Sequence, residues 1–153
     1  MLEYLLDMEV TARWDGRYRC SVQARQFELT VDEPARHGGT DMGMQPTEVL
    51  LASVASCFTL AVAHVAMKRG LAVDGFTVTA QGEHRGPRFR RIVVRVDHAE
   101  PTPELLDVVR RAVSACYVSN TLRGGPEMEY QVGEVPIHRT PASPGGAAAP
   151  PPS

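Results

Sequence analysis

"TEVLLASVASCFTLAVAHVAMKRG", Thr47 to Gly70, is apolar almost all the way round when wound at helical spacing. Pro46, just before it, suits a first helical turn, where a missing N–H costs nothing. Glu48 places negative charge at the positive end of the helix dipole, and Lys68 and Arg69 complement the other end. Gly70 then supplies a residue that takes the left-handed conformation ending a helix. These signals predict one long helix, buried on all sides, with a thiol, Cys57, at its middle. The run 49–67 is uncharged and, at about 1.5 Å per residue, almost long enough to cross a bilayer. Ser53, Ser56, Thr59, His64 and the many alanines favour a helix packed inside protein instead.

Upstream, the chain alternates like strand. In "RYRCSVQ", Tyr18, Cys20 and Val22 share one face and Arg17, Arg19 and Ser21 the other. "WDGR" (Trp14 to Arg17) supplies a turn between "LLDMEVTARW" and that strand, and "FELTVDEP" makes a third strand stopped by Pro34. An antiparallel meander is expected, followed by a glycine-rich loop, "ARHGGTDMGMQP", that leads into the helix.

Downstream, "VDGFTVTAQGEH" and "RFRRIVVRVDH" read as two strands joined at "RGPR" (Arg85 to Arg88). Thr102 and Pro103 cap and start a second long helix. On it, Leu105, Val109, Ala112 and Cys116 form one apolar stripe, so each long helix carries a mid-helix cysteine. "SNTLRGG" closes a short helical piece, and "EMEYQV" adds a last strand. The expected architecture is α+β, with residues 1–139 in a single domain. The remainder, 140–153, is proline, glycine and alanine with little to bury, and is expected to be disordered.

A length of 153 residues allows one domain with one sizeable core. A net charge of −2 and a pI near 6.2 give no general attraction for nucleic acid or anionic lipid. The local arginine cluster, Arg85, Arg88, Arg90, Arg91 and Arg95, reads as a solvated strand face. "MLEYLLDMEV" carries Glu3 and Asp7 and no basic run, unlike a signal peptide, so a cytoplasmic address is expected. The three cysteines, Cys20, Cys57 and Cys116, have neither zinc-like spacing nor the density of a disulfide framework.

Taken together, "DEPARHGG", "GMQPTEVLLASVASC" and "AVSACYVSNTL" resemble the OsmC/Ohr family of osmotically inducible and organic hydroperoxide resistance proteins. The distinctive combination is D-x-P, G-G and P-x-E, then a cysteine nine residues after the glutamate. A second helical cysteine follows, trailed by Val-Ser and Thr-Leu. The similarity runs from Asp32 to Leu122. It implies antiparallel sheets packed on two long central helices, in an intertwined homodimer. It also implies a thiol peroxidase that reduces organic hydroperoxides. Cys57 then looks like the peroxidatic cysteine, Cys116 the resolving cysteine and Glu48 a supporting acid. Arg36 is taken as the supporting arginine, with Arg13 and Arg17 as alternatives. The implied partners are a hydrophobic peroxide and a dithiol reductant, with no metal or organic cofactor, no nucleic acid and no membrane.

The chemistry constrains this reading. A thiolate attacks a peroxide oxygen, so Cys57 must ionise more readily than an ordinary thiol, whose pKa is about 8.5. Three turns inside the helix, the terminal dipole has faded, and burial among Val54, Phe58 and Ala61 pushes the pKa upward. A cation held close, such as Arg36, is needed to offset that. Glu48 and Cys57, nine residues apart, point to opposite sides of one straight helix, about 13 Å apart along its axis. Glu48 therefore serves a partner's thiol or is only a first-turn acid. On the plainer reading, Cys57 and Cys116 are small core hydrophobes, His64 and Cys20 are packing residues, and Arg36 is a solvated loop residue. The alternative function is a non-enzymatic protein of the same fold that binds a small lipophilic ligand or senses redox state.

Overall fold

The computed structural model describes residues 8–144. The chain divides into two compact units, Met1–Leu51 and Ala52–Ser153. A 23-residue helix, α1 (Pro46–Lys68), begins in the first and runs on through the second.

The first unit is the expected meander: β1 (Thr11–Gly16), β2 (Arg19–Ala24) and β3 (Phe27–Val31), antiparallel in that order. β1 starts at Thr11, paired with Gln23, so Met8 to Val10, part of the expected strand, lie outside the observed one; Leu5 to Asp7 fall outside the described residues. The expected inside–outside alternation of β2 is blunted, since Arg19 to Val22 are all half-buried. Ser21 donates its hydroxyl to the Asp15 carboxylate at 2.5 Å, which gives the polar face a partner of its own.

After β3 the chain enters a loop built around one acid. Asp32, 1% exposed, accepts hydrogen bonds from the N–H groups of Glu33 (2.8 Å), Thr40 (3.1 Å) and Met42 (3.2 Å), and from the Thr40 hydroxyl. The Thr40 hydroxyl, first, and these amides hold its pKa down to about 2, against the opposing effect of burial. Two glycines allow the close approach. A Cβ on Gly39 would lie 1.7 Å from the Glu33 carbonyl oxygen, and one on Gly43 2.2 Å from that of Thr30. A single 3-10 turn, Ala35–His37, carries Arg36 outward on this frame.

In the second unit, β4 (Thr77–Arg85) and β5 (Arg88–Asp97) form the expected hairpin, turning at Gly86 with φ +61°. α2 (Pro103–Ala115) begins as expected, with the Thr102 side chain accepting from the Leu105 N–H at 3.2 Å. Its inward face, Leu105, Val108 and Ala112, joins Phe58, Ala61, Val62 and Ala66 of α1 and Cys116 in the buried core. Half-buried Val78, Val94 and Val96 of the hairpin pack against this cluster. α1 ends in a Schellman arrangement: Gly70, φ +64°, donates to the Met67 carbonyl at 3.1 Å and Leu71 to that of Ala66 at 3.0 Å.

The extent of the second helix is corrected as well. The second helix does not run through Cys116; it stops at Ala115, and a separate helix, α3 (Tyr117–Gly124), follows. Cys116 stands between them in an extended conformation, φ −82° and ψ 105°. The break is held from the α3 side. The Asn120 side-chain amide donates to the Ser114 carbonyl at 2.9 Å, and Arg123 to that of Val113 at 3.2 Å, so orphan carbonyls of α2 are satisfied without further helix. β6 (Met128–Val132) is the predicted last strand, but it pairs with an unpredicted β7 (Val135–Thr140), exposed along its whole length. The expected tail, 140–153, therefore overlaps β7 by one residue. From residue 145 onward it lies outside the described residues.

Candidate active site: a cysteine pair

Cys57 and Cys116, 59 positions apart in sequence, are both free thiols of the second unit, and Cys57 packs against the buried cluster that contains Cys116, so that each thiol acts on the other's ionisation. Their surroundings differ. Cys57 occupies the margin of α1, between the buried face (Val54, Phe58, Ala61, Val62) and a stripe exposed in the single chain (Ser56, Leu60, His64, Met67). It is half-buried, whereas Cys116 has no exposed surface. His64 belongs to the exposed stripe, so it is not the core histidine the sequence suggested.

The electrostatics follow from backbone geometry. Inside α1 the local N–H groups are consumed by the helix, and burial pushes the Cys57 thiol above its ordinary pKa. The N–H of Val118 acts against burial, the neighbouring Cys116 sulfur reinforces it, and the N–H of Tyr117 gives a smaller relief. At Cys116 burial also opposes ionisation, but it is outweighed. The Ser119 hydroxyl donates to Cys116 Sγ at 3.2 Å, backed by the Ser119 N–H, the Cys57 thiol and the Val118 N–H. Its pKa is lowered. The two thiols are thus shifted in opposite directions. This polarity was not legible from composition or spacing, because it depends on the helix break.

The other predicted residues lie in the first unit. Glu48 accepts from the Gln45 N–H at 2.8 Å, a capping-box bond that fixes the start of α1. Arg36 is exposed on the loop organised by Asp32. Arg13 pairs with Asp15 at 3.1 Å, and Arg17 adopts a positive φ of 51° in the β1–β2 turn. Cys20 is half-buried on β2, opposite Val31.

Beside the thiol pair, still within the second unit, lies a groove of about 850 Å³. Val54 and Phe58 of α1, Ile92 of β5, Leu105 and Val109 of α2 and Ser119 of α3 line it. Of the arginines along its edge, Arg90 and Arg91 are held by Glu83 at 2.9 and 3.1 Å, a local charge balance that agrees with a solvated strand face. Among the described residues no three metal-ligating side chains converge.

The family model for OsmC-like proteins matches residues 38–131, more than half of the chain and both cysteines of the pair. The chain belongs to the OsmC family. No curated protein matches it at a significant level. Solved structures do. An OsmC-like protein from Mycoplasma pneumoniae is 19% identical, with a TM-score of 0.68 over 78% of this chain and 89% of its own. An organic hydroperoxide resistance protein from Elizabethkingia anophelis, solved with thiocyanate bound, is 25% identical, with a TM-score of 0.58 over 79% and 91%. An OsmC-like protein of unknown function from Vibrio cholerae is 14% identical, with a TM-score of 0.59 over 76% and 94%. The OsmC fold of the chain, antiparallel sheets with three helices, is thus shared by proteins described in different functional terms.

Proposed function

We propose that this OsmC protein is a cytoplasmic thiol peroxidase that reduces organic hydroperoxides, with Cys57 as the attacking and Cys116 as the resolving cysteine. The observation that carries the reading is the pairing of two free thiols of unequal access, one half-buried and one sealed. Attack needs access, which Cys57 has. Resolution needs a second thiol that ionises readily, and the Ser119 hydroxyl donating to Cys116 Sγ at 3.2 Å favours that. Cys57 sulfur takes the terminal peroxide oxygen; the O–O bond breaks, the alkoxide leaves and is protonated to the alcohol, and Cys57 becomes a sulfenic acid. Cys116 thiolate then displaces hydroxide from that sulfur, forming the disulfide, and an external dithiol reduces it by exchange.

Because burial holds the Cys57 proton on, the first step requires a cation, and the reading assigns that role to Arg36, with Glu48 as the acid that orients it. The reading also assigns a homodimer. A helix apolar all round is supported by protein on every side, yet α1 leaves Leu60 and Met67 about 70% exposed in one chain. A second copy laid along that stripe would cover it and close over Cys57.

In stopped-flow assays with cumene hydroperoxide and a dithiol, Cys57→Ser is expected to lower turnover by about three orders of magnitude, since it removes the bond-forming atom. Undiminished turnover in that variant, or none in the wild type, would overturn the enzyme reading. The groove favours one competing reading, a carrier of a small lipophilic ligand. Tight binding of a lipophilic fluorophore with no peroxide turnover would select it.

A further inference from the structure

We infer that Ser119 is the positioning residue for resolution: its hydroxyl, fixed in the first turn of α3, holds the Cys116 sulfur as the nucleophile that closes the disulfide with Cys57. The inference rests on the peroxidase reading and adds to it a residue outside the thiols and their supporting charges.

Two observations converge on Ser119. Its Oγ lies 3.2 Å from Cys116 Sγ and donates to it. In addition, α2 stops one residue before Cys116, and Asn120 and Arg123 hold the break, so Cys116 and the first turn of α3 that carries Ser119 are fixed together. A hydroxyl is suited to this task. It stabilises a thiolate by donating, carries no charge that would compete with a cation needed at Cys57, and rotates away once the sulfur becomes part of a neutral disulfide. In the step itself the Cys116 electron pair forms the S–S bond, the S–O bond of the Cys57 sulfenic acid breaks with its electrons, and the departing hydroxide is protonated to water. Ser119 is unchanged at the end.

The test separates the two half-reactions in the full-length protein. After mixing with one equivalent of cumene hydroperoxide, peroxide loss reports the Cys57 step and decay of dimedone-trappable sulfenic acid reports resolution. Ser119→Ala is expected to leave peroxide loss within about twofold. Resolution near pH 7 is expected to slow about tenfold, with the midpoint of its pH profile moved up by about one unit. Ser119→Thr, which keeps the donor, is expected to restore both. A resolution rate and midpoint equal to wild type in Ser119→Ala would overturn the inference, as would Thr failing to rescue while the fold is intact by circular dichroism. If the wild type consumes no peroxide, the peroxidase reading falls. The thiolate-holding role is then read from absorbance titration of Cys116 at 240 nm in a Cys20→Ser, Cys57→Ser background. There a midpoint unmoved by Ser119→Ala sinks it, and an upward shift sustains it.

Discussion

The two cysteines belong to one packed cluster, yet they occupy opposite kinds of backbone. Cys57 lies well inside an unbroken helix, where the amide protons around it are already spent on carbonyls. Cys116 occupies a helix break, where the next turn begins and its amides are free. Burial pushes the Cys57 thiol up, with the Val118 and Tyr117 N–H groups only partly offsetting it, whereas Cys116, although the more deeply buried, is lowered, the Ser119 hydroxyl acting first. Burial alone does not decide thiol acidity here.

The sharpest way to break this contrast is to remove its second member. In Cys116→Ser, one equivalent of hydroperoxide is expected to be consumed at the wild-type rate, while sustained turnover with a dithiol falls about a hundredfold or more, because the Cys57 sulfenic acid has no internal partner. Quenched-flow burst measurements read both. Unimpaired steady-state turnover would mean that the external reductant attacks Cys57 directly, and the pairing would lose its role.

A smaller effect tests the exposed stripe beside Cys57. Leu60→Asp places a charge at the centre of that stripe and is expected to shift sedimentation from dimer to monomer, with loss of peroxidase activity but retention of helical circular dichroism. A wild-type protein that sediments as a monomer at micromolar concentration would remove the proposed partner chain, and with it the closed environment assigned to Cys57.

The mildest test concerns the first unit, which contains neither thiol of the pair. The Asp32 pKa is depressed to about 2, below the value of about 3.9 for an unperturbed carboxylate. Its contribution to stability is therefore complete above the unfolded-state value and lost as pH falls through about 2. Asp32→Asn is expected to melt several degrees below wild type at pH 7, with the gap narrowing toward pH 2. A gap that is constant with pH would mean that the carboxylate charge does not organise the loop.

Much of the architecture was legible because its signals are local. Pro46, Glu48 and Gly70 mark both ends of α1, Thr102 marks the start of α2, and "RGPR" marks the β4–β5 turn, each through chemistry confined to a few neighbours. The end of α2 was not legible in this way. "AVSACYVSN" keeps an apolar helical spacing through Cys116, and the residues that stop it, Asn120 and Arg123, act backwards from the following helix. β7 was missed because its exposed face gives no inside–outside alternation, and only pairing with β6 defines it. The two cysteines themselves could be picked out, but their unequal chemistry could not. It arises from the helix break that sets the Ser119 hydroxyl against Cys116, which no spacing of apolar side chains encodes.

One carboxylate knots the loop between β3 and α1 from within, and Gly39 and Gly43 leave no room for a bulkier residue. The peptide bearing Arg36 is therefore shaped while a lone chain folds, before it meets any companion. In the proposed dimer, a guanidinium mounted on so rigid an arm would give up little backbone freedom on docking, and the entropic penalty of recruiting it would fall mainly on its own side-chain rotamers.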